Sequence, residues 1–129
     1  MKRVLLWLLP VVDVFKIHDI LRYYRSIGVA VPLRHAKLGL LERWAGYLSV
    51  GLVLGWIIGP LTATLLIVAV FAAVGPLEFL LMKRGVVPWR FFRGRETSTV
   101  LKVFLLEGYN AIGYYLLGTG LACFLAQAF

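Results

Sequence analysis

The stretch "WAGYLSVGLVLGWIIGPLTATLLIVAVFAAVGPLEFLLM", residues 44–82, carries a single charged side chain, Glu78. A helix rises 1.5 Å per residue, so ~20 apolar residues cross the ~30 Å hydrocarbon core of a bilayer. This stretch is about twice that long and must fold back on itself. Gly59-Pro60 near its middle supplies the turn, because Gly adopts conformations that other residues avoid and Pro is favoured at the first position of a helix. The pattern predicts a helical hairpin, with helices over 42–58 and 60–82 and both ends on one side of a membrane. A second pair, Gly75-Pro76, is expected to kink the second helix near its exit, since Pro lacks the N–H donor and clashes with the preceding turn.

The rest of the chain fits that frame. Its 129 residues are 61% hydrophobic and 16% charged, with a mean hydropathy of +0.88, outside the range of soluble globular domains. No soluble catalytic domain has room here. The net charge of +8 could indicate nucleic-acid binding, but the 14 Lys and Arg residues are segregated: Lys2 and Arg3, then six within 16–43, then six within 83–102. Residues 44–82 and 103–129 contain neither Lys nor Arg. Basic segments flanking bare apolar ones are the positive-inside pattern of a membrane protein, and nucleic acid is not an expected partner. A lone cysteine, Cys123, excludes an internal disulfide and a cysteine-based metal site.

The N-terminus "MKRVLLWLLPVVDVFKIHD" begins like a signal peptide, but its apolar run ends at Asp13 without an A-x-A arrangement, and we expect it to be retained. Inserting residues 4–24 as a span would place Asp13, Lys16, His18 and Asp19 in the membrane, at ~2.5–3.5 kcal/mol for each centrally placed charge. Residues 1–41 are therefore expected to form an interfacial helical segment that dips into or lies on the cytoplasmic face. Val14, Ile17, Ile20, Leu21 and Tyr24 share one face of a helix there, away from Lys16, Asp19 and Arg22. Residues 83–98 read as a basic cytoplasmic loop. The expected fold is all-α, with three transmembrane helices (42–58, 60–82 and 99–127), the N-terminus inside and the C-terminus outside a bacterial inner membrane. A four-span version with residues 4–24 inserted is the alternative.

Three groups of residues stand out for function. Gly51, Gly55 and Gly59 form a double small-xxx-small motif that lets helix backbones approach closely. The expected partner is Ala69 and Ala73 of the second helix, or else a separate membrane subunit or a second copy. In the last helix Glu107, Asn110 and Tyr114 fall within about 60° of one another, a polar stripe that should face protein or water, not lipid. Glu107 lies five residues inside Lys102 and Glu78 five inside Lys83, so each carboxylate sits ~7–8 Å below its basic boundary. They could pair as a proton or cation site, or snorkel to Arg84, Arg90 or Arg93, the expectation we adopt. The third group, Lys83, Arg84, Arg90, Arg93 and Arg95 with interleaved aromatics, has the composition of a phosphate or lipid-headgroup contact.

His18 and His35 lack a third ligand at a fixed spacing, and no metal or other cofactor is expected. No nucleophile motif, phosphate-cradling loop or H-E-x-x-H is present. The expected function is a small non-enzymatic accessory protein or complex subunit whose basic loops contact anionic lipid or a partner. Binding or translocation of an anionic lipid or lipid-linked substrate is the first alternative. A small enzyme using the shallow carboxylates is the second.

Overall fold

A computed structural model describes residues 2–86 and 89–129, and its described residues are helical, with turns and no strand. Met1, and Val87 and Pro88 within the loop expected at 83–98, lie outside the described residues. Three short N-terminal helices come first: α1 (Lys2–Trp7), α2 (Val12–Phe15) and α3 (Ile17–Ser26). Next, α4 (Leu33–Glu42) runs through a π-helical turn (Arg43–Tyr47) into α5 (Leu48–Ile58) without leaving helical geometry. The helix expected to begin at residue 42 is thus the second half of a longer one. Gly59, at φ +89°, breaks it, and Pro60 opens α6 (Pro60–Arg84), which continues through Pro76 to a left-handed Gly85. A single 3₁₀ turn (Arg90–Phe92) precedes α7 (Thr97–Ala128).

Helices α6 and α7 are both long and apolar enough to cross a membrane. Their apolar windows are only 11% and 28% buried, respectively. The core helix of a soluble domain would be mostly covered, whereas these leave Leu61, Leu65, Val68 and Leu77 of α6 exposed.

Helix α7 is the hub. On one side it meets α5 so closely that a Cβ at Gly51 would run into the Tyr115 carbonyl and one at Gly118 would lie 2.7 Å from the Leu52 nitrogen. A Cβ at Gly55 would lie 2.9 Å from Ala122 Cβ. Gly51 and Gly55 therefore seat against α7. Ala69 and Ala73, expected to face them from α6, are exposed, which corrects that pairing. Gly59 serves the turn and has no neighbour within 4 Å of a built Cβ. The inner face of α6 is instead Ala63, Ile67, Gly75 and Met82, together with Phe71 stacked edge-on against Tyr115 at 5.5 Å and Phe79 against Phe104 at 5.7 Å. A stripe with that spacing carries Glu78 inward with it.

At the end of the bundle where α6 stops and α7 starts, the N-terminal helices complete a separate apolar core. Val4, Leu8, Ile20, Leu21 and Tyr24 pack there with Met82, Phe92, Val100, Val103 and Leu106.

The α5–α7 contact should be intolerant of added volume, with overpacking of Gly51→Val or Gly118→Val costing about 1–3 kcal/mol or more. Gly120→Ala, at a helical position with nothing within 4 Å of a built Cβ, should raise stability by about 1 kcal/mol. Thermal unfolding followed by circular dichroism in detergent distinguishes the two.

Candidate functional site

The polar stripe of α7 is built into two adjacent clusters. In the deeper one, Asn110 and Tyr114, both fully buried, reach the turn that links α1 to α2. The Tyr114 hydroxyl donates to Asp13 Oδ1 at 2.6 Å, and Asn110 Nδ2 donates to Asp13 Oδ2 at 2.9 Å. Asn110 also donates to the Leu8 carbonyl, and the Val11 amide donates to the Tyr114 hydroxyl at 3.4 Å. Asn110 Oδ1 has no partner among the described residues. Pro10 packs beside Gly113, where a Cβ would meet its ring carbons at 3.1 Å. Val11 adopts φ +75°, a region costly for a β-branched residue.

One turn nearer the start of α7, Glu107 is held from two sides. The Tyr24 hydroxyl donates to Oε1 at 2.6 Å, and the Arg43 guanidinium pairs with Oε2. Burial, with Glu107 adding to it, holds the Tyr24 phenol well above its ordinary pKa, so it stays a donor. Arg43 is half-buried at the first position of the π-helical turn. Such turns recur at functional sites because the extra residue re-aims the side chains around it. Here the turn also carries Tyr47, which donates to Glu42 at 3.2 Å and stacks on Tyr115 at 4.7 Å.

Between these clusters and the ends of α3, α4 and α6 lies a cavity of about 360 Å³. Its polar lining includes Asp13, His35, Glu42, Arg43, Glu78 and Glu107. Ile17, Ile20, Val31, Met82 and Phe104 supply much of the apolar remainder. Glu78 and Glu107 thus line one space, and among the described residues Glu78 has no hydrogen bond or ion pair. Asn110 is not in the lining; it serves the Asp13 cluster. The partner expected for Glu107 among Arg84, Arg90 and Arg93 is corrected to Arg43, and Arg84 and Arg90 remain exposed.

The basic loop is partly spent on itself. Lys83 Nζ donates to the Arg95 carbonyl, and the Arg93 guanidinium donates to the Gly85 carbonyl at 3.2 Å. Arg95 itself is exposed. Among the described residues no group of three or more His, Cys, Asp or Glu is placed to hold a metal ion.

Asp13, Tyr24, Arg43 and His35 escaped the sequence analysis as site residues. Asp13 carried the one usable signal, an acidic residue just past a Pro within an apolar run. Tyr24 and Arg43 are joined to α7, and His35 to Phe91, by contacts that no local pattern encodes. Neither a known protein family nor a curated protein nor a solved structure matches the chain.

Asp13→Ala should leave two buried donors unpaired and cost about 2–4 kcal/mol. In a double-mutant cycle of Arg43→Leu and Glu107→Leu, each single change should hurt more than its share of the double, with a coupling of about 1–3 kcal/mol. His35, in edge contact with Phe91 at 4.9 Å, has its pKa lowered chiefly by burial, with Glu107 pulling the other way. A lowered folded pKa means that the unfolded chain takes the proton first as pH falls. The stability His35 contributes is therefore present above the ordinary histidine range and lost as pH drops through it. Melting curves between about pH 7 and pH 5 should show a drop that His35→Phe reduces.

Proposed function

We propose that this chain is a small non-enzymatic integral membrane protein that holds a lipid-class ligand in the cavity between its N-terminal segment and its helices. The observation that carries this reading is the cavity itself, whose lining combines charged and hydroxyl groups with apolar side chains. That combination fits an amphiphile whose headgroup meets the polar groups and whose body meets the apolar ones.

The membrane placement draws support from α6 and α7, and from the exposed apolar faces of all three long helices, which are too extensive for water. In this reading α5, with the end of the π-helical turn, is the third span. The N-terminal segment enters beside α7, turns at Pro10–Val11 and returns through α3. Gly113, which receives Pro10, lies eleven residues past Lys102, or ~16 Å deeper along α7, about half of a ~30 Å core. Re-entrant backbone at that depth needs its polar groups satisfied by protein, and Tyr114 and Asn110 do so for the Val11 N–H and the Leu8 carbonyl. The Lys and Arg distribution favours an orientation with the N-terminus in and the C-terminus out, and the proposed location is a bacterial inner membrane.

An accessory role is favoured over an enzymatic one because Asp13 and Glu107 are already held by protein donors. Glu78 alone is left without such a partner, which is too little for paired-carboxylate chemistry. The exposed Arg84, Arg90 and Arg95 remain available to anionic lipid or to a neighbouring membrane protein.

Gly108 lines the cavity, and a Cβ built there meets nothing within 4 Å. Gly108→Leu should therefore fill part of the space without strain, raise helix stability by about 0.5–1 kcal/mol and displace the ligand. Native mass spectrometry of the protein released from nanodiscs made with its host's lipids should show a retained species that disappears in the variant. Retention unchanged in a folded Gly108→Leu protein would refute the cavity as the binding site.

A further inference from the structure

Outside the main cavity, a notch of about 280 Å³ opens beside α3, lined by His18, Arg22 and Arg25 with Leu21, Val31 and Leu33. We propose that this notch is a binding site for a phosphate ester at the membrane surface. It is a different place from the loop at 83–95 to which composition pointed.

The placement follows from helical geometry. At 100° per residue Arg22 lies 40° from His18 and Arg25 lies 20° on its other side, so the three project from one face. The neighbouring face is fixed, because Ile20, Leu21 and Tyr24 are buried in the core with Val100 and Val103. Val31 and Leu33, from the link into α4, close the notch and give it an apolar border that a glycerol backbone or similar group can rest on.

Several other basic residues are already engaged. Arg43 is committed to Glu107, and Lys83 and Arg93 hold loop carbonyls. Lys102 sits 5.9 Å from the centre of the Tyr23 ring. In contrast, His18 and Arg25 have no hydrogen bond or ion pair among the described residues. Arg22 meets only Asp19, at 3.5 Å, through a side chain that is 77% exposed. An exposed pair of that kind contributes little, and Asp19 is also shared with Lys16. Two guanidinium groups on one face offer the planar, forked donors that match phosphate oxygens. Tyr24, next to Arg25 in the same helix, bonds Glu107, which is five residues inside Lys102. In the proposed topology this end of α3 therefore lies ~7–8 Å below the basic boundary, a depth from which an arginine side chain reaches headgroup phosphates.

The phosphate could belong to a lipid headgroup or to a soluble phosphate compound, and two arms distinguish them. The inference rests on the membrane reading and is independent of the ligand in the main cavity. In the first arm, the full chain in phosphatidylcholine nanodiscs containing a minor fraction of phosphatidylglycerol is analysed by native mass spectrometry for retained phosphatidylglycerol. In the second arm, the chain in phosphatidylcholine alone is titrated with inorganic phosphate and followed by ³¹P line broadening. Arg22→Gln/Arg25→Gln is compared with Arg3→Gln/Lys37→Gln, which removes the same charge from exposed positions elsewhere.

Binding in at least one arm should be about tenfold weaker or more in the Arg22/Arg25 variant than in the charge-matched control. A difference confined to phosphatidylglycerol assigns the site to lipid, and a difference with inorganic phosphate assigns it to soluble phosphate. Arg22→Lys/Arg25→Lys keeps the charge but loses the fork, and should fall between wild type and the Gln variant in the responding arm. Equal behaviour of the two Gln variants in both arms overturns the proposal. Gly108→Leu should leave this binding unchanged, so loss of the cavity ligand and loss of phosphate binding fail separately.

Discussion

A chain that turns back inside a bundle leaves backbone donors and acceptors with no regular partner, and an apolar surrounding offers no water to replace one. Here the turn between α1 and α2 meets that constraint through a single carboxylate. Asp13 takes the hydroxyl of Tyr114 and the amide of Asn110, while those same two side chains also serve the Leu8 carbonyl and the Val11 N–H. The turn is strained at Val11, so it is the surroundings that hold it in place. Once it is fixed, α3 is directed back along α7, Tyr24 reaches Glu107, and the cavity acquires its wall.

Helix α7 can serve all these neighbours because its faces are differently sized. Gly118 and Ala122 present a nearly bare backbone to α5, where Gly51 and Gly55 answer in kind. Aromatic rings fill the wider gap to α6, and Gly113 admits Pro10. Close contact in one direction and a cavity in another follow from the same helix. In the proposed membrane setting dispersion and hydrogen bonding hold such a bundle together, since lipid competes equally well for apolar surface.

The long apolar stretch, its turn at Gly59-Pro60 and the polar stripe on α7 were legible because each is a local pattern with a fixed period. The small-residue motif was legible as a contact surface but not as to its partner. Gly51 and Gly55 could have met any helix with small residues, and Ala69 and Ala73 were nearer in sequence than Gly118 and Ala122. Glu78 faces inward because it lies on the Ala63–Ile67–Gly75–Met82 side of α6, a side that an α5–α6 seam at Ala69 and Ala73 would have turned away. Glu107 showed that it needed a partner without naming one. Candidates close in sequence, Arg84, Arg90 and Arg93, lost to Arg43 because the π-helical turn brings that residue to the same level from a helix 64 positions away.

The pairing of the N-terminal turn with the end of the chain sets an order on biogenesis. Asp13 and Tyr114 are 101 positions apart, and the hydrogen bonds that settle the first segment become available only after the last helix has been synthesised. Until then the charged and strained turn lacks the partners that hold it. The N-terminal segment is thus among the last parts to reach its final position, and a chain truncated before Asn110 would lack the groups that hold the Pro10–Val11 turn in place.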